Sequence, residues 1–239
     1  MSTRQPTNSE RGGSRTPDRT RTTAPSREPL TRQRALSTAV ALADAQGIGA
    51  LTMRRLAQEL GIEAMSLYHH VANKDDILDG MVDMVFAEIE LPSGEADWTT
   101  AMRQRARSAR AAMTRHPWAI GIMQWRSSPG PATLRHHDAV LRSCRDAGFS
   151  LQMAAHAFSL LDSYIYGFVL QEVNLPFDDS SDLERVVEPM LLPFPAEDYP
   201  HLVELTTEHI LQPGYSYGDE FEYGLGLILD SLETAAAQG

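Results

Sequence analysis

Apolar residues recur at the spacing of α-helices along most of the chain, and the pattern is clearest between residues 52 and 74. In the first half of this stretch, an apolar stripe with i, i+3, i+4, i+7 spacing predicts a short helix with one buried face: Met53, Leu56, Ala57 and Leu60. Thr52 can cap the start of this helix and Gly61 can end it.

A second short helix is predicted from about residue 63 to residue 71. Leu67 and Val71 are four residues apart and can face the first helix. The outward positions are then Ala64, Met65, Ser66, Tyr68 and His69. Two short helices joined by a tight turn indicate a helix-turn-helix, which places its second helix in the major groove of DNA.

Helices are also predicted on both sides of this pair. Residues 31–47 have a Thr31 cap, one apolar face and a Gly47 stop, so that three helices precede residue 72. Asn73 can cap a fourth helix, with acidic residues in its first turn, that ends before Pro92 and connects this head to the rest of the chain.

Beyond Pro92 the pattern stays helical, without the alternation typical of strands. The breaks at proline and glycine predict helices at about residues 97–115, 118–126, 130–147, 151–173, 183–192, 198–212 and 219–237. The fold class is therefore all-α. The predicted architecture is a three-helix helix-turn-helix head joined by a connector helix to a helical-bundle body.

Two body helices, 151–173 and 219–237, carry apolar residues on most sides, and the second contains Gly224 and Gly226 at a spacing that lets another helix approach. A helix that is apolar all round must be covered all round. These helices therefore form the centre of the body, or pack against a second copy of it, or both.

Length and composition add limits to this picture. The 239 residues, 42% of them hydrophobic, suffice for one small and one larger domain. We expect no membrane span because no run of 18 apolar residues occurs, and no secretion signal because no apolar segment follows the polar N-terminus. Cys144 is the only cysteine, which excludes an intramolecular disulfide and suits a reducing cytoplasm.

The charge is unevenly distributed. The net charge is −11 overall, but residues 1–29 have six arginines against three acidic residues, and residues 30–72 have four arginines against three acidic residues. The head can therefore approach phosphates, whereas the strongly acidic remainder is repelled by them. Residues 1–29 are rich in Ser, Thr, Arg, Pro and Gly and are expected to be disordered, either as a basic arm along DNA or as a featureless tail.

Other candidates for chemistry are weaker. Adjacent histidines on a helix diverge by about 100°, so we interpret His136, His137 and Asp138 as a solvated face and not as a metal site. His156 is either a core histidine whose ring nitrogens are hydrogen-bonded within the protein or a polar contact to a ligand. The sequence contains no phosphate loop, nucleophile elbow or paired cysteines, so we expect neither an enzyme nor a cofactor or metal.

The segment LTMRRLAQELGIEAMSLYHHVANKDDILDGM resembles the DNA-binding head of the TetR family of bacterial transcriptional regulators. The segments GFSLQMAAHAFSLLDSYIYGFVLQE and FEYGLGLILDSLE are similar to body helices of the tetracycline repressor subclass. The resemblance implies a tail at 1–29, a DNA-binding head at 30–74 and a ligand-binding, dimerising body at 75–239. It also implies a cytoplasmic homodimer that spans a DNA palindrome and leaves it when a ligand enters the body.

The resemblance also implies roles for individual residues. Thr52 and Arg54 would meet phosphates, Lys74 would bind the backbone, and the recognition positions would be Ala64, Met65, Ser66, Tyr68, His69 and His70. Ala64 and Met65 can offer only apolar contacts, for example to a thymine methyl, so DNA shape is expected to contribute to recognition. Arg55 points about 100° from Arg54 and is expected to be solvated or salt-bridged.

For the body, the resemblance implies a mostly apolar pocket for a lipophilic or aromatic ligand. Its expected lining is Trp118, Ile122, Met123, Trp125, Leu134, His156, Phe158, Leu161, Tyr164, Ile165, Phe168 and Gln171. Met123 and Gln171 stand where the tetracycline repressor has the histidine and glutamate that hold a magnesium–drug complex, so we expect no magnesium-tetracycline binding. The expected dimer interface is Phe168, Gly224, Leu225, Ile228 and Leu232.

The sequence thus favours a ligand-responsive, dimeric repressor. The alternative is a constitutive DNA-binding regulator whose body serves only for dimerisation.

Overall fold

The computed structural model describes residues 29–123, 128–176 and 197–238, together with Met1 and Thr3. Within these ranges the regular elements are all helical, as predicted. The chain from Thr31 onward forms one compact unit. The predicted tail at 1–29, apart from its few described residues, lies outside the described residues, as do Trp125 and the predicted helix at 183–192.

The head contains three helices, α1 (Arg32–Gln46), α2 (Met53–Leu60) and α3 (Ala64–Leu67), with a 3-10 turn at Ile48–Ala50. The predicted caps are confirmed. The hydroxyl oxygens of Thr31 and Thr52 each accept a hydrogen bond, at 3.1 Å, from the backbone N–H three residues later. Gly61 ends α2 with a left-handed φ of 67°, a conformation that glycine adopts without steric cost.

Helix α3 is shorter than the predicted 63–71. After Leu67 the backbone N–H groups of Tyr68, His69 and His70 bond to carbonyls three residues earlier, at 3.3, 3.4 and 2.8 Å. This i to i−3 pattern tightens the chain into a turn instead of extending the α-helix. Leu67 and Val71 are buried as predicted, so the packing of the helix-turn-helix is kept.

Helix α4 (Lys74–Ala87) connects the head to the body. Its predicted cap is confirmed, since Asn73 Oδ1 accepts a hydrogen bond from the N–H of Asp76 at 2.8 Å. It packs against α1 of the head and against α5 (Trp98–Arg115), α6 (Trp118–Met123) and α7 (Pro131–Asp146) of the body. One helix thus packs against both the head and the body.

The body continues with α8 (Leu151–Glu172), α9 (Pro200–Leu205), which runs into a π-helical turn at Thr206–Ile210, and α10 (Tyr217–Gln238). These bounds lie within a few residues of those predicted. Helix α8 packs against α5, α7 and α10 and is the central element of the body. It is long and apolar enough to cross a membrane, with a mean hydropathy of 1.2. The central helix of a helical bundle has the same length and composition.

Gly224 permits a close approach between α8 and α10. A Cβ atom added there would lie 2.3 Å from the hydroxyl oxygen of Tyr164, whereas at Gly226 the nearest atom would be the Arg103 guanidinium at 3.8 Å. The expected close contact between helices therefore occurs at the first glycine, and it is made within one chain.

The residues predicted for the dimer interface all lie on α8 and α10. Phe168, Leu225 and Leu232 are buried within the chain because they face the junction of α10 with α8 and α5. The exposed large apolar side chains of α8 and α10 are others: Leu151, Leu160, Leu170, Tyr223 and Leu227.

Candidate DNA interface and ligand cavity

The end of the head formed by α2 and α3 exposes the side chains that the sequence assigned to DNA. Met65 and Tyr68 are 72% and 47% exposed, high values for side chains of this size. Thr52 and His69 are exposed, and Ala64, Ser66 and His70 are half-buried. Leu56, Leu60 and Leu67 form the buried layer beneath them.

Two cations flank this end. Arg54 at the start of α2 and Lys74 at the start of α4 are exposed, and neither has an ion-pair partner among the described residues. Arg55, by contrast, pairs with Glu59 at 2.6 Å on the same helix, in agreement with the salt-bridged alternative. An exposed guanidinium and an exposed ammonium are the groups that bind the phosphates of DNA.

A cavity of about 340 Å³ lies in the body between α4, α6, α7 and α8. This volume falls at the lower end of the range for small-molecule sites. Much of its wall is apolar, and the remainder carries hydroxyl, imidazole and carboxylate groups. The lining residues are Asp79, Val82, Phe86, Ile120, Met123, Ser128, Pro129, Gly130, Thr133, His137, Phe158, Asp162 and Tyr166.

Met123 and Phe158 are predicted lining residues that do line this cavity. The other predicted lining residues that the structure describes lie outside this cavity's wall. Leu161 and Ile165 are fully buried, Tyr164 stacks on Phe221, and Phe168 meets the Phe221 ring edge-on. Leu134, His156 and Gln171 are exposed, Ile122 is half-buried outside the lining, and Trp118 faces the head.

A buried polar network lies against the cavity wall. Arg105 of α5 is 1% exposed; its Nη2 donates to Asp162 Oδ1 at 2.5 Å, and its Nε donates to His136 Nε2 at 3.1 Å. The Tyr166 hydroxyl donates to the other Asp162 oxygen at 3.2 Å. The guanidinium thus has its counter-charge within the core, as a buried charge requires.

His136 is fully buried, so the predicted solvated face is wrong at this position. Helix α7 packs against α4 and α8, and the His136 side chain accepts a hydrogen bond from Arg105. Burial, assisted by the nearby guanidinium, lowers the pKa of His136 to about 3. The ring is therefore neutral and accepts the Arg105 hydrogen bond through Nε2.

A second polar cluster joins the head to the body. Asp44, near the end of α1, accepts a hydrogen bond from Trp118 Nε1 at 2.6 Å and lies 2.8 Å from His116 Nδ1. The other nitrogen of His116 lies 3.2 Å from Glu88 at the end of α4. His116 caps the C-terminus of α5, and it is buried between α1, α4 and α5.

Comparison with known proteins agrees with both parts of this architecture. The family model for "Bacterial regulatory proteins, tetR family" matches residues 35–81. The model for "Tetracyclin repressor-like, C-terminal domain" matches residues 91–236, more than half of the chain.

The chain belongs to the TetR family. Among its relatives is the HTH-type transcriptional repressor DrrR1 of Streptomyces coeruleorubidus, which is 34% identical over 226 residues, covering 90% of this chain and 82% of the relative. The tetracycline repressor protein class D of Escherichia coli is 32% identical over 146 residues, covering 60% of this chain and 66% of the relative.

A solved TetR-family structure, ActR of Streptomyces coelicolor in complex with actinorhodin, has a TM-score of 0.72 and 31% sequence identity, covering 87% of this chain and 97% of ActR. This chain is thus a DNA-binding transcriptional regulator of the TetR family, with a body like that of the tetracycline repressor.

Several residues that line the cavity of this TetR-family chain were not predicted from the sequence. Asp162 and Tyr166 lie in a helix that reads as apolar, and Val82 and Phe86 belong to the connector helix. The presence of Asp162 in such a helix was the available signal, because a carboxylate there needs a buried partner.

Proposed function

We propose that this TetR-family protein is a ligand-responsive repressor that binds a palindromic DNA operator as a homodimer. A small, largely apolar or aromatic effector enters the body and lowers the affinity for DNA. The proposed division is a DNA-binding head at 30–74 and a ligand-binding, dimerising body at 75–239.

The observation that carries the proposal is that two helices each contribute residues to the cavity wall and also reach or contact the head. Helix α4 contributes Val82 and Phe86 to the cavity wall, while its first residue, Lys74, stands at the DNA end. Helix α6 contributes Ile120 and Met123 to the wall, while Trp118 at its start bonds to Asp44 of α1. A ligand that moves either helix therefore changes the position of the head.

The relatives support a repressor with an effector. One of them, DrrR1, carries the name of a transcriptional repressor, and ActR has been solved in complex with actinorhodin. Met123 stands at the cavity where a magnesium–drug site would need a histidine, and a thioether is a poor magnesium ligand. Magnesium-tetracycline is therefore not the proposed effector.

A second copy of the chain is the proposed partner of the exposed face of α8 and α10. Leu160 and Leu170 on α8 and Tyr223 and Leu227 on α10 are 41–70% exposed, although these helices pack against each other. Exposed apolar residues on two adjacent helices are typical of a dimer surface. Two copies joined there would place four helices at the interface.

The experiment begins with selection of DNA sites from a random library by the purified protein, followed by fluorescence anisotropy on the selected site at two salt concentrations. We expect an inverted repeat, because a two-fold dimer reads two half-sites. Lys74→Ala should weaken binding about 10-fold and reduce the salt slope by about one per protomer. Tyr68→Ala should also weaken binding, while Arg142→Ala, an exposed cation of the body, should not.

The dimer is tested with Leu227→Glu and Leu134→Glu, two leucines that are each 54% exposed, by sedimentation and by the same DNA-binding assay. We expect Leu227→Glu to sediment as a monomer and to lose binding to the inverted-repeat site, and Leu134→Glu to behave as the wild type.

A panel of lipophilic compounds then tests effector release. Specific DNA binding that none of them alters would favour the constitutive regulator.

A further inference from the structure

The polar cluster that joins the head to the body surrounds His116 with charged groups from the ends of three helices. Asp44 lies near the end of α1, Glu88 follows the last residue of α4, and Arg115 is the last residue of α5. The His116 side chain is 9% exposed, and its ring meets the Trp118 ring of α6 edge-on, with centroids 5.9 Å apart. We call these five residues the junction.

The two contacts of the His116 ring are both satisfied only when the imidazole is protonated. Nδ1 lies 2.8 Å from Asp44 Oδ1, and Nε2 lies 3.2 Å from Glu88 Oε1. A neutral imidazole has one N–H and donates to only one of these oxygens, so its second nitrogen would direct a lone pair at the other carboxylate. The protonated ring donates through both nitrogens.

The other donors of the junction are already engaged. Trp118 Nε1 donates to Asp44 Oδ1 at 2.6 Å, and Arg115 Nη2 donates to Glu88 Oε2 at 2.6 Å. The protonated ring therefore gives two carboxylates two cationic partners, whereas the neutral ring leaves one carboxylate without its second donor. The side chains of Asp44 and Glu88 are 31% and 39% exposed, so water can carry protons to the junction.

The two bonds of the ring tie different parts of the protein together. The bond to Asp44 joins the end of α5 to α1 of the head, and the bond to Glu88 joins it to the connector helix α4. Histidine is the side chain whose charge ordinarily changes between pH 5 and pH 8. A change of pH in this range therefore makes or breaks one tie between the head and the body.

We propose that His116 is a proton-dependent link that sets how firmly the head is held on the body. The link is complete on the acid side of this range, and one tie is lost as the pH rises and the ring loses its proton. Because two heads must dock on two half-sites at once, a loosely held head lowers the affinity for DNA. The pH thus regulates DNA binding independently of the effector. For its effect on DNA, this inference rests on the proposed function.

Glu88→Gln is the most informative variant. Its amide NH₂ can donate to Nε2 of the neutral ring while its oxygen accepts from Arg115, so the junction is satisfied without the extra proton. The matched control is Glu90→Gln, which removes the same charge from an exposed side chain two residues further along the chain. His116→Gln, which is neutral at every pH, removes the titrating group itself.

The junction is measured without DNA by the NMR resonance of the Trp118 indole N–H in the full-length protein, since this group shares the acceptor Asp44 Oδ1 with His116. Trp118→Phe assigns the resonance. We expect the resonance to move between pH 6 and pH 8 in the wild type and in Glu90→Gln, and to move less than half as far in Glu88→Gln and His116→Gln. Equal movement in the wild type and Glu88→Gln would overturn the inference.

DNA affinity is measured by fluorescence anisotropy on the selected inverted-repeat site at pH 6 and pH 8, at constant ionic strength. His69 and His70 at the DNA end are present in every variant, so the comparison is made between variants. From pH 6 to pH 8, the wild type and Glu90→Gln should lose about 3- to 10-fold more affinity than Glu88→Gln, the value of about one hydrogen bond.

The two readouts let the two proposals fail separately. If the Trp118 resonance behaves as expected but every variant loses affinity equally, regulation by pH is overturned and the proposed repressor stands. If no site is bound specifically at either pH while the Trp118 resonance behaves as expected, the proposed operator binding fails and the proton-dependent link stands.

Discussion

The head and the body use polar side chains in opposite ways. At the DNA end, Arg54, Tyr68 and Lys74 are exposed over an apolar layer, so their polar groups are available to bind a partner molecule. In the body, Arg105 and His136 are buried between helices, and Asp162 is nearly so. Changes at the head should therefore alter binding with little effect on folding, whereas changes in the body network should alter both.

The largest expected effect is on the buried ion pair. Asp162→Ala leaves the Arg105 guanidinium buried without its counter-charge and should lower the free energy of unfolding by about 3–5 kcal/mol. The matched control is Asp138→Ala, because Asp138 and Arg142 are paired at a similar distance, 2.6 Å, but are 70% and 68% exposed. That change should cost less than about 1 kcal/mol. Urea unfolding measures both, and similar losses in the two variants would contradict the comparison.

The next effect is a pH dependence from His136. Its folded pKa of about 3 lies below the ordinary 6.5, so the unfolded chain binds more protons between these values. The stability from this residue is complete above about pH 6.5 and falls as the pH decreases, by about 2 kcal/mol at pH 5.

The measurement is urea unfolding at pH 8 and pH 5. His136→Gln should remove this part of the pH dependence, while His201→Gln, whose side chain is 94% exposed in the wild type, should retain it. Equal pH dependence in the wild type and His136→Gln would show that the buried ring does not resist protonation.

The smallest expected effect concerns packing between α8 and α10. Gly224→Ala places a methyl group against the Tyr164 ring, which is held by hydrogen bonds to two α10 carbonyls, and should destabilise the fold by about 1–2 kcal/mol. Gly226→Ala places its methyl group in ordinary van der Waals contact with the Arg103 guanidinium, at 3.8 Å, and should stabilise the helix by about 0.5–1 kcal/mol. Thermal unfolding should therefore shift in opposite directions, and shifts of the same sign would refute the assigned close contact.

Local chemistry made the head predictable. Thr31, Thr52 and Asn73 cap helices through side chains that reach only three residues along the chain, and Gly61 ends a helix through its own φ. Helix bounds in the body followed in the same way from proline and glycine breaks. Helix α3 is the exception, because it was predicted to be longer than it is. No particular residue in the sequence marks the change to i to i−3 hydrogen bonds after Leu67.

The cavity was harder to predict because its members come from distant parts of the chain. Arg105 meets His136 and Asp162 across 31 and 57 residues, and α4 supplies wall residues that the sequence suggested only as a connector. Met123 and Phe158 are two predicted residues that do line the cavity, and both lie on helices expected to enclose a ligand. Three of the residues predicted for the dimer interface, Phe168, Leu225 and Leu232, are buried within the chain, because α8 and α10 are apolar on most sides.

The sequence by itself determined the helical class, the helix-turn-helix with its caps, and the outward positions of Met65 and Tyr68, because each depends on neighbours within one or two helical turns. Tertiary structure alone decided which face of α8 and α10 is buried, which polar groups meet in the core, and where the cavity lies. Those features depend on the relative orientation of helices, which the periodicity of a single helix does not contain.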